Sequence, residues 1–415
     1  MERTRGEGQG EQGRMDRTAV AVLSVAHFIS DSYSSTIYPL LPLLAAKLHL
    51  TELQVFFLVP TLSITSAFMQ PVYGVIADRY TRRMFAVLGP AVTGCFFSLI
   101  GVAPSFWMLL ALLVCGGLGV GAFHPQAVSL AAEAGGNRRR FSVSLFSSMG
   151  TLGFATGPLM IALVVGAAGL SKTPYMIGSG VLASLLLYLY GPASRQSLST
   201  VGQQRQSVGL GLRALKTVRG SLAILFIISL SRSAVYLLLG NYLPFILRDE
   251  GYSLKATGGA LTIYMLTGAL GSFAGGGVAG WVGERTLNVI SGVLTTVFLI
   301  SACLVHGPLG MAILALGTCA LLSIIPVNIT QAQALAPGQT STVSALLMGL
   351  AWGTGSLAVP TIGPMATTLG FRPVLMFMAV LPLLTGFLAL ALPKEREPAV
   401  KGMKDVSLSV TPSGD

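Results

Sequence analysis

A series of twelve long apolar segments, separated by breaks that charged residues, glycine or proline mark, constrains this chain more than any other feature. Numbered in chain order as spans 1 to 12, their approximate limits are 18–46, 53–77, 84–103, 105–134, 141–168, 173–192, 220–247, 255–283, 286–306, 308–336, 340–368 and 372–393. A helix of about 20 apolar residues crosses the hydrocarbon core of a bilayer. Only 10% of the residues are charged, against about 25% in soluble domains. We therefore predict an all-α integral membrane protein with twelve transmembrane helices.

Lysine and arginine are distributed unevenly between the two sets of loops that twelve spans create. Of the 26 basic residues, 20 lie at the termini or in loops on the same side, five lie in the opposite loops, and Arg232 lies within span 7. Loops rich in lysine and arginine stay in the cytoplasm. We predict that both termini are cytoplasmic. The same asymmetry accounts for the net charge of +11 without a nucleic-acid partner.

The second half of the chain repeats marks of the first half at a displacement of 202 to 206 residues. The matching pairs are Pro42 and Pro244, Gly74 and Gly280, Asp78 and Glu284, Arg79 and Arg285, Gly153 and Gly355, and Pro158 and Pro360. Two parallel six-helix halves with a binding site between them form a transporter architecture. The predicted divisions are a disordered tail 1–17, an N-terminal half 18–192, a basic linker 193–219, a C-terminal half 220–393 and a tail 394–415.

Two charged side chains in the middle of the spans are candidates for a functional site, because a charge at the bilayer centre costs at least about 2.5–3.5 kcal/mol. Asp31 in span 1 and Arg232 in span 7 occupy nearly equivalent places in the two halves. We expect them to face each other over a central cavity. Asp31 is predicted to carry protons or contact substrate, and Arg232 to bind an anion through its guanidinium. A permanent ion pair between the two is the alternative for both.

Two histidines are candidates for the same path. His27 lies one turn before Asp31 and is a possible partner for it. His124 precedes Pro125 in span 4, where it could relay protons or bind the carbonyl that the proline leaves without a donor. Three further polar side chains fall on the same helical stripes as the charges: Tyr38, Tyr236 and Asn241.

The stretch GVIADRYTRR, from Gly74 to Arg83, joins spans 2 and 3 and is a candidate gate on the terminal side. Glycine permits close helix approach, an aspartate can accept hydrogen bonds from a helix N-terminus, and arginines can pair with an acid. The predicted latch comprises Gly74, Asp78, Arg79, Arg82 and Arg83 with Glu133 as the acid, and a weaker second copy comprises Gly280, Glu284 and Arg285. The alternative is that the arginines only set the topology.

Span 5 carries Gly153, Gly157 and Pro158, which give it a small face and a bend. Small residues four positions apart let membrane helices approach closely. A seal between the halves and plain helix packing are both compatible with this pattern.

These motifs resemble those of a known family. GVIADRYTRR is similar to the signature between spans 2 and 3 of the major facilitator superfamily, and Gly153 to Pro158 resembles its span 5 antiporter motif. Three further stretches resemble the fosmidomycin-resistance-type efflux proteins of that superfamily: AHFISDSYSSTIYPLLP (Ala26 to Pro42), GAFHPQ (Gly121 to Gln126) and QALAPGQTSTVSALLMGLAWGTG (Gln333 to Gly355). One departure concerns span 4, where many proton-coupled exporters of the superfamily carry an arginine and this chain has Leu113.

The resemblance implies a monomeric transporter of a bacterial cytoplasmic membrane that exports a small anionic antibiotic, such as fosmidomycin, or a related metabolite in exchange for protons. A proton-coupled importer of a small organic anion is the first alternative. A membrane-embedded enzyme or a sensor that does not transport is the second, although the spans contain neither HExxH nor GxSxG. We expect no cofactor and no metal, and the lipid bilayer, protons and a small molecule as partners.

Overall fold

A computed structural model of the protein describes residues 14–79, 82–192, 218–336 and 343–393. The predicted linker, apart from residues 218 and 219, and most of both tails lie outside these ranges. The helices, grouped by span, are Arg17–Ser35 and Ile37–Leu48; Glu52–Arg79; Arg82–Ser98 with Ile100–Val102; Phe106–Ala134; Arg139–Ala168; Leu170–Met176 with Ile177–Tyr190; Arg219–Asp249; Leu254–Val282; Glu284–Leu304; Gly307–Leu322 with Ile325–Leu335; Ala345–Leu350, Ala351–Ser356 and Ala358–Leu369; and Phe371–Met378, Leu381–Leu388 and Ala389–Ala391.

Eleven helical segments within the described ranges are long and apolar enough to cross a membrane. Span 1, residues 17–48, is not among them. It is as long as the others, but its middle carries His27, Asp31 and a run of hydroxyl side chains. With this polar span counted first, the fold is the predicted bundle of twelve transmembrane helices.

Six of the spans consist of more than one helical piece, and in four of them a proline explains a break. A proline ring removes one backbone donor and clashes with the carbonyl four residues before it. In spans 1, 10, 11 and 12 a helix ends four residues before a proline, in the pairs Ser35 and Pro39, Leu322 and Pro326, Ser356 and Pro360, and Met378 and Pro382. Span 11 also contains a π-helical turn, Ala345–Leu350.

The same neighbours pack in the first six spans, residues 14–192, as in the last six, residues 218–393. Span 1 packs on span 5 as span 7 packs on span 11, and spans 3 and 4 pack together as spans 9 and 10 do. Small residues allow the first of these contacts. A side chain at Gly153 would meet the carbonyl of Phe28, and one at Gly355 would meet Ser233.

Contacts between the two halves run from mid-depth toward the side opposite the termini. At mid-depth, a Cβ placed on Gly353 of span 11 would lie 3.9 Å from the Cβ of Ala67 in span 2. Nearer the opposite side, the rings of Phe56 and Tyr242 lie 5.8 Å apart. On the same side, Gly258 of span 8 packs against the carbonyl of Pro158 in span 5. These contacts hold the halves together between the centre of the molecule and its opposite side.

Candidate functional site

A cavity with an empty volume of about 970 Å³ lies between the halves. Residues of spans 1, 2, 4, 5, 7 and 11 line it, so both halves contribute. Its polar and aromatic lining consists of Asp31, Ser34, Tyr38, Ser63, Ser66, Gln70, His124, Phe154 and Trp352. Asp31 and His124 are the charged or basic groups among the described residues of this lining.

Asp31 lies between two imidazoles. Its Oδ2 lies 3.1 Å from Nε2 of His27, one turn earlier in span 1, and its Oδ1 lies 3.0 Å from Nε2 of His124 in span 4. The side chain of His124 is 25% exposed, that of Asp31 15% and that of His27 8%. We call His27, Asp31 and His124 the triad; it joins a buried imidazole to one that borders the cavity.

Backbone carbonyls fix the orientation of both imidazoles. Nδ1 of His27 lies 2.8 Å from the carbonyl oxygen of Phe146, and Nδ1 of His124 lies 2.8 Å from that of Val120. A carbonyl only accepts hydrogen bonds, so the network assigns the Nδ1–H form to each ring. Pro125 deprives the carbonyl of Gly121 of its donor. His124 contacts the carbonyl of Val120, one residue earlier, so its predicted contact with the freed carbonyl is wrong.

Packing holds His27 more firmly than His124. The ring of His27 stacks on Phe146 with centroids 4.0 Å apart, and Gly150 of span 5 lies directly against it. A side chain larger than hydrogen at position 150 would collide with this ring. The ring of His124 meets His27 edge-on at 5.0 Å and borders open space on its other side.

The triad also brings together atoms of the kind that hold metal ions, with one ligand atom from each residue within 4.8 Å of the others. Hydrogen bonds account for this arrangement, because each carboxylate oxygen lies at hydrogen-bond distance from an imidazole nitrogen.

Arg232 does not lie where the sequence suggested, and its predicted position opposite Asp31 is wrong. It is fully buried within the C-terminal half. Its guanidinium donates to the hydroxyls of Ser291 and Thr295, at 3.1 and 3.3 Å, and to the carbonyl of Asn288 at 3.4 Å. All three partners belong to span 9. The basic partners of Asp31 are therefore two histidines of its own half.

The other predicted path residues are divided between the cavity and the protein interior. Tyr38 lines the cavity, with its ring 6.4 Å from that of Phe154. Tyr236 is buried behind the lining, where it stacks on Tyr264 at 4.9 Å and meets Trp352 edge-on. Asn241 is buried and donates to the carbonyl of Leu237 in its own helix.

Most residues of the predicted gate are not among those whose side chains the structure describes. These residues are Gly74, Asp78, Arg79 and Arg82. Arg83 is described, and it donates to the carbonyl of Tyr188 in span 6 at 2.6 Å. Glu133 ends span 4 on the same side. In the second copy, no atom of the described residues lies within 4 Å of a Cβ placed on Gly280, so this glycine marks no close approach among them. Gly280 and Glu284 instead line a separate cavity between spans 8 and 10, and Arg285 begins span 9 beside it.

The span 5 motif divides its contacts between the two halves. Gly153 and Gly157 pack against the backbone of span 1, at Phe28 and Ser32. The carbonyl of Pro158 instead meets Gly258 of span 8.

Two walls of the cavity were not predicted from the sequence. Span 2 contributes Ser63, Ser66 and Gln70, and span 11 contributes Met348 and Trp352. The polar residues of span 2 recur at helical spacing within an apolar segment, and this pattern could have identified them as a cavity-facing stripe. The residues of span 11 lie among similar apolar residues, so no such pattern distinguishes them.

Comparison with known proteins adds to this geometry. The sequence profile of the Major Facilitator Superfamily matches residues 23–356. The chain is 28% identical over 383 residues to an uncharacterized MFS-type transporter, YfnC, of Bacillus subtilis, covering 91% of this chain and 93% of that protein. It is 27% identical over 387 residues to the fosmidomycin resistance protein of Escherichia coli, covering 92% and 94%. The fold is similar to the crystal structure of a bacterial homologue of the human lysosomal transporter Spinster, with a TM-score of 0.75, 16% identity and coverage of 90% and 96%.

Proposed function

Because this chain belongs to the Major Facilitator Superfamily and is therefore a membrane transporter rather than an enzyme, we propose that it exports a small anionic antibiotic, such as fosmidomycin, or a related metabolite in exchange for protons. The two halves, 18–192 and 220–393, rock about the central cavity and expose it to each side of the membrane in turn. Residues 193–219 connect them as a basic linker.

The observation that carries this proposal is the triad at the wall of the central cavity. An ionisable group at membrane depth is costly and marks an ion or substrate path. The Asp31 carboxylate joins two imidazoles, which are the side chains best suited to exchanging protons near neutral pH. Since span 4 supplies His124 and span 1 supplies Asp31, a shift between these helices alters the contact that a proton bridges.

One observation supports a small anion as the substrate. The similarity to a fosmidomycin resistance protein extends over 92% of this chain, and fosmidomycin is a phosphonate. Arg232, buried against span 9, has no part in this proposal.

The remaining elements of the proposal follow from the distribution of charge. The terminal side carries 20 of the 26 basic residues, which favours cytoplasmic termini in the inner membrane of a bacterium. The transporter acts as a monomer, since one chain contributes both walls of the cavity.

Transport assays test the proposal. The chain is expressed in a bacterium depleted of its own exporters, and uptake of labelled fosmidomycin is measured with and without a protonophore. We expect lower accumulation that the protonophore reverses, and proton-driven movement of fosmidomycin in proteoliposomes. Higher accumulation would instead indicate an importer, and absence of flux in proteoliposomes would contradict a transporter of this compound.

A further inference from the structure

The hydrogen bonds of the triad fix how many protons it holds. Both Nδ1 atoms donate to carbonyls, so neither can supply the hydrogen between an Nε2 and the carboxylate. Each of the two contacts between Nε2 and Asp31 needs a proton of its own, because a bare nitrogen and a carboxylate oxygen only accept. With both contacts bridged, the triad holds two bridging protons and carries a net charge of +1.

Loss of one proton must break one of the two contacts. His27 is stacked on Phe146 and confined by Gly150. His124 is more exposed and borders the cavity. The contact that opens is therefore the one between Asp31 and His124, and the proton passes from His124 to cavity water. The triad then consists of His27 imidazolium with Asp31 carboxylate and a neutral His124, with a net charge of zero.

In this one-proton state the lone pair of His124 Nε2 has lost its hydrogen bond to Asp31, Nδ1 keeps its hydrogen on the Val120 carbonyl, and His124 lines the cavity. We propose that the substrate donates a hydrogen bond to this nitrogen, so that the substrate and the second proton compete for one atom. This inference rests on the proposed function and gives it a mechanism of exchange: about one proton is displaced for each substrate bound. The contacting group of the substrate is a hydroxyl, an N–H or a hydroxamic acid O–H, whereas a bare carboxylate or phosphonate would be repelled by the lone pair.

The surroundings of the triad supply no other described group that would take over this exchange. Span 5 faces it with Phe146 and Gly150. Span 2 borders the cavity with Ser63, Ser66 and Gln70, span 7 with Leu237, and span 11 with Met348, Trp352 and Gly353. Tyr38 is the further titratable side chain of the described lining, and its hydroxyl ionises only at strongly alkaline pH in water.

Nitrogen NMR of the histidine-labelled protein tests the proton count directly, since the chain has only four histidines. As pH rises, we expect one signal to become a neutral ring with a hydrogen on Nδ1 and none on Nε2. This signal is absent from His124→Gln and present in His306→Gln, a matched control at an exposed residue. His27 keeps both hydrogens over the same range. Loss from His27 first, or from both rings together, would overturn the inference.

A matched pair of compounds tests the donor. Fosmidomycin carries a hydroxamic acid O–H, and its O-methyl ether lacks that donor but keeps the phosphonate. Fosmidomycin is expected to shift the His124 Nε2 signal, release about one proton per molecule bound, and bind up to about tenfold more weakly for each pH unit of acidification. The ether is expected to do none of these, apart from any proton change of the phosphonate that both share.

The outcomes separate this inference from the proposed function. Proton-driven movement of fosmidomycin without a shift of the His124 signal would overturn the inference and leave the exporter. A shift without movement would keep the inference and overturn the exporter. If fosmidomycin neither moves nor shifts the signal, both are overturned. The proton release that the two compounds cause is measured on the unaltered protein, so it decides the question even if His124→Gln fails to fold.

Discussion

Asp31 connects two imidazoles that differ in how tightly they are packed. His27 belongs to the tightly packed contact between spans 1 and 5, and His124 lies on a helix that borders the cavity. A carboxylate between them is shared by a buried partner and a more exposed one. If the triad couples transport to protons as proposed, the exposed imidazole is the one that exchanges them with the cavity.

Replacing Asp31 by Asn removes the group that two imidazoles share. The amide can hydrogen-bond to one imidazole, but it cannot bind or release a proton. We expect Asp31→Asn to insert normally and to lose accumulation driven by a pH gradient. The measurement is labelled fosmidomycin movement in proteoliposomes with and without the gradient, with His306→Gln as the control. Gradient-driven transport at the wild-type rate would remove Asp31 from the coupling.

Arg232 gives a prediction about stability rather than transport. Arg232→Lys keeps the buried charge but cannot place donors on all three span 9 acceptors, so we expect a loss of about 1–3 kcal/mol in the free energy of unfolding. Arg232→Met removes the charge together with the free-energy cost of keeping it out of water, so we expect the smaller loss for this variant. Thermal unfolding in one detergent should rank methionine above lysine. The reverse order would show that the charge itself stabilises the fold.

At the residue scale, the sequence identified Asp31 and His27 because polar groups one turn apart in an apolar helix must share a face. It did not pair Asp31 with His124. Helical periodicity shows which residues share a face, but it does not show which other helix that face meets. Arg232 was misplaced for the same reason, since its partners Ser291 and Thr295 are ordinary hydroxyls in an apolar span.

At the scale of the helix, proline breaks were visible in the sequence but ambiguous. Pro39 and Pro326 each follow a helix end by four residues, whereas Pro125 and Pro158 lie within continuous helices. The local effect of the ring is the same in all four. Neighbouring helices decide whether the chain bends around the proline or starts a new helix, and that information is not local.

The glycines of span 5 offer a controlled test of helix packing. Gly153→Ala places a methyl group against the carbonyl of Phe28, and we expect it to lower the free energy of unfolding by about 1–3 kcal/mol. Gly166 lies in the same helix, and no atom of another described element lies within 4 Å of a Cβ placed there. Gly166→Ala is expected to be neutral or slightly stabilising, because alanine favours the helix. Thermal unfolding of both purified variants compares them, and equal midpoints would argue against a close contact at Gly153.

At the scale of the molecule, the internal repeat was the sequence feature that best predicted how the helices pack. Residues displaced by 202 mark equivalent packing, since Gly153 meets span 1 and Gly355 meets span 7. The cavity between the halves could be expected from that symmetry. The sequence does not show on which side of the membrane the two halves close over the cavity. The residues that pack at both ends of the spans are similar small and aromatic side chains.

The contact between spans 2 and 11 tests whether the halves must separate during transport. Positions 67 and 353 belong to different halves, and their Cβ atoms would lie 3.9 Å apart, within the range of about 3.5–4.5 Å that a disulfide requires. In a background without the four native cysteines, Ala67→Cys with Gly353→Cys should cross-link on oxidation and stop proton-driven transport. Reduction should restore it, because rocking of the halves would pull these helices apart.

A disulfide within one half controls for the chemistry of oxidation. Thr65→Cys with Gly117→Cys joins spans 2 and 4, where a Cβ on Gly117 would lie 3.2 Å from that of Thr65. A separation of these helices by about 0.3 Å brings the pair into the range that a disulfide requires. Both spans belong to the N-terminal half, so a rigid half should tolerate the link and keep transporting. Unimpaired transport by the oxidised 67–353 pair would show that spans 2 and 11 stay together, and rocking about the central cavity would then be wrong. Inactivation by both links would instead place the essential motion within the N-terminal half.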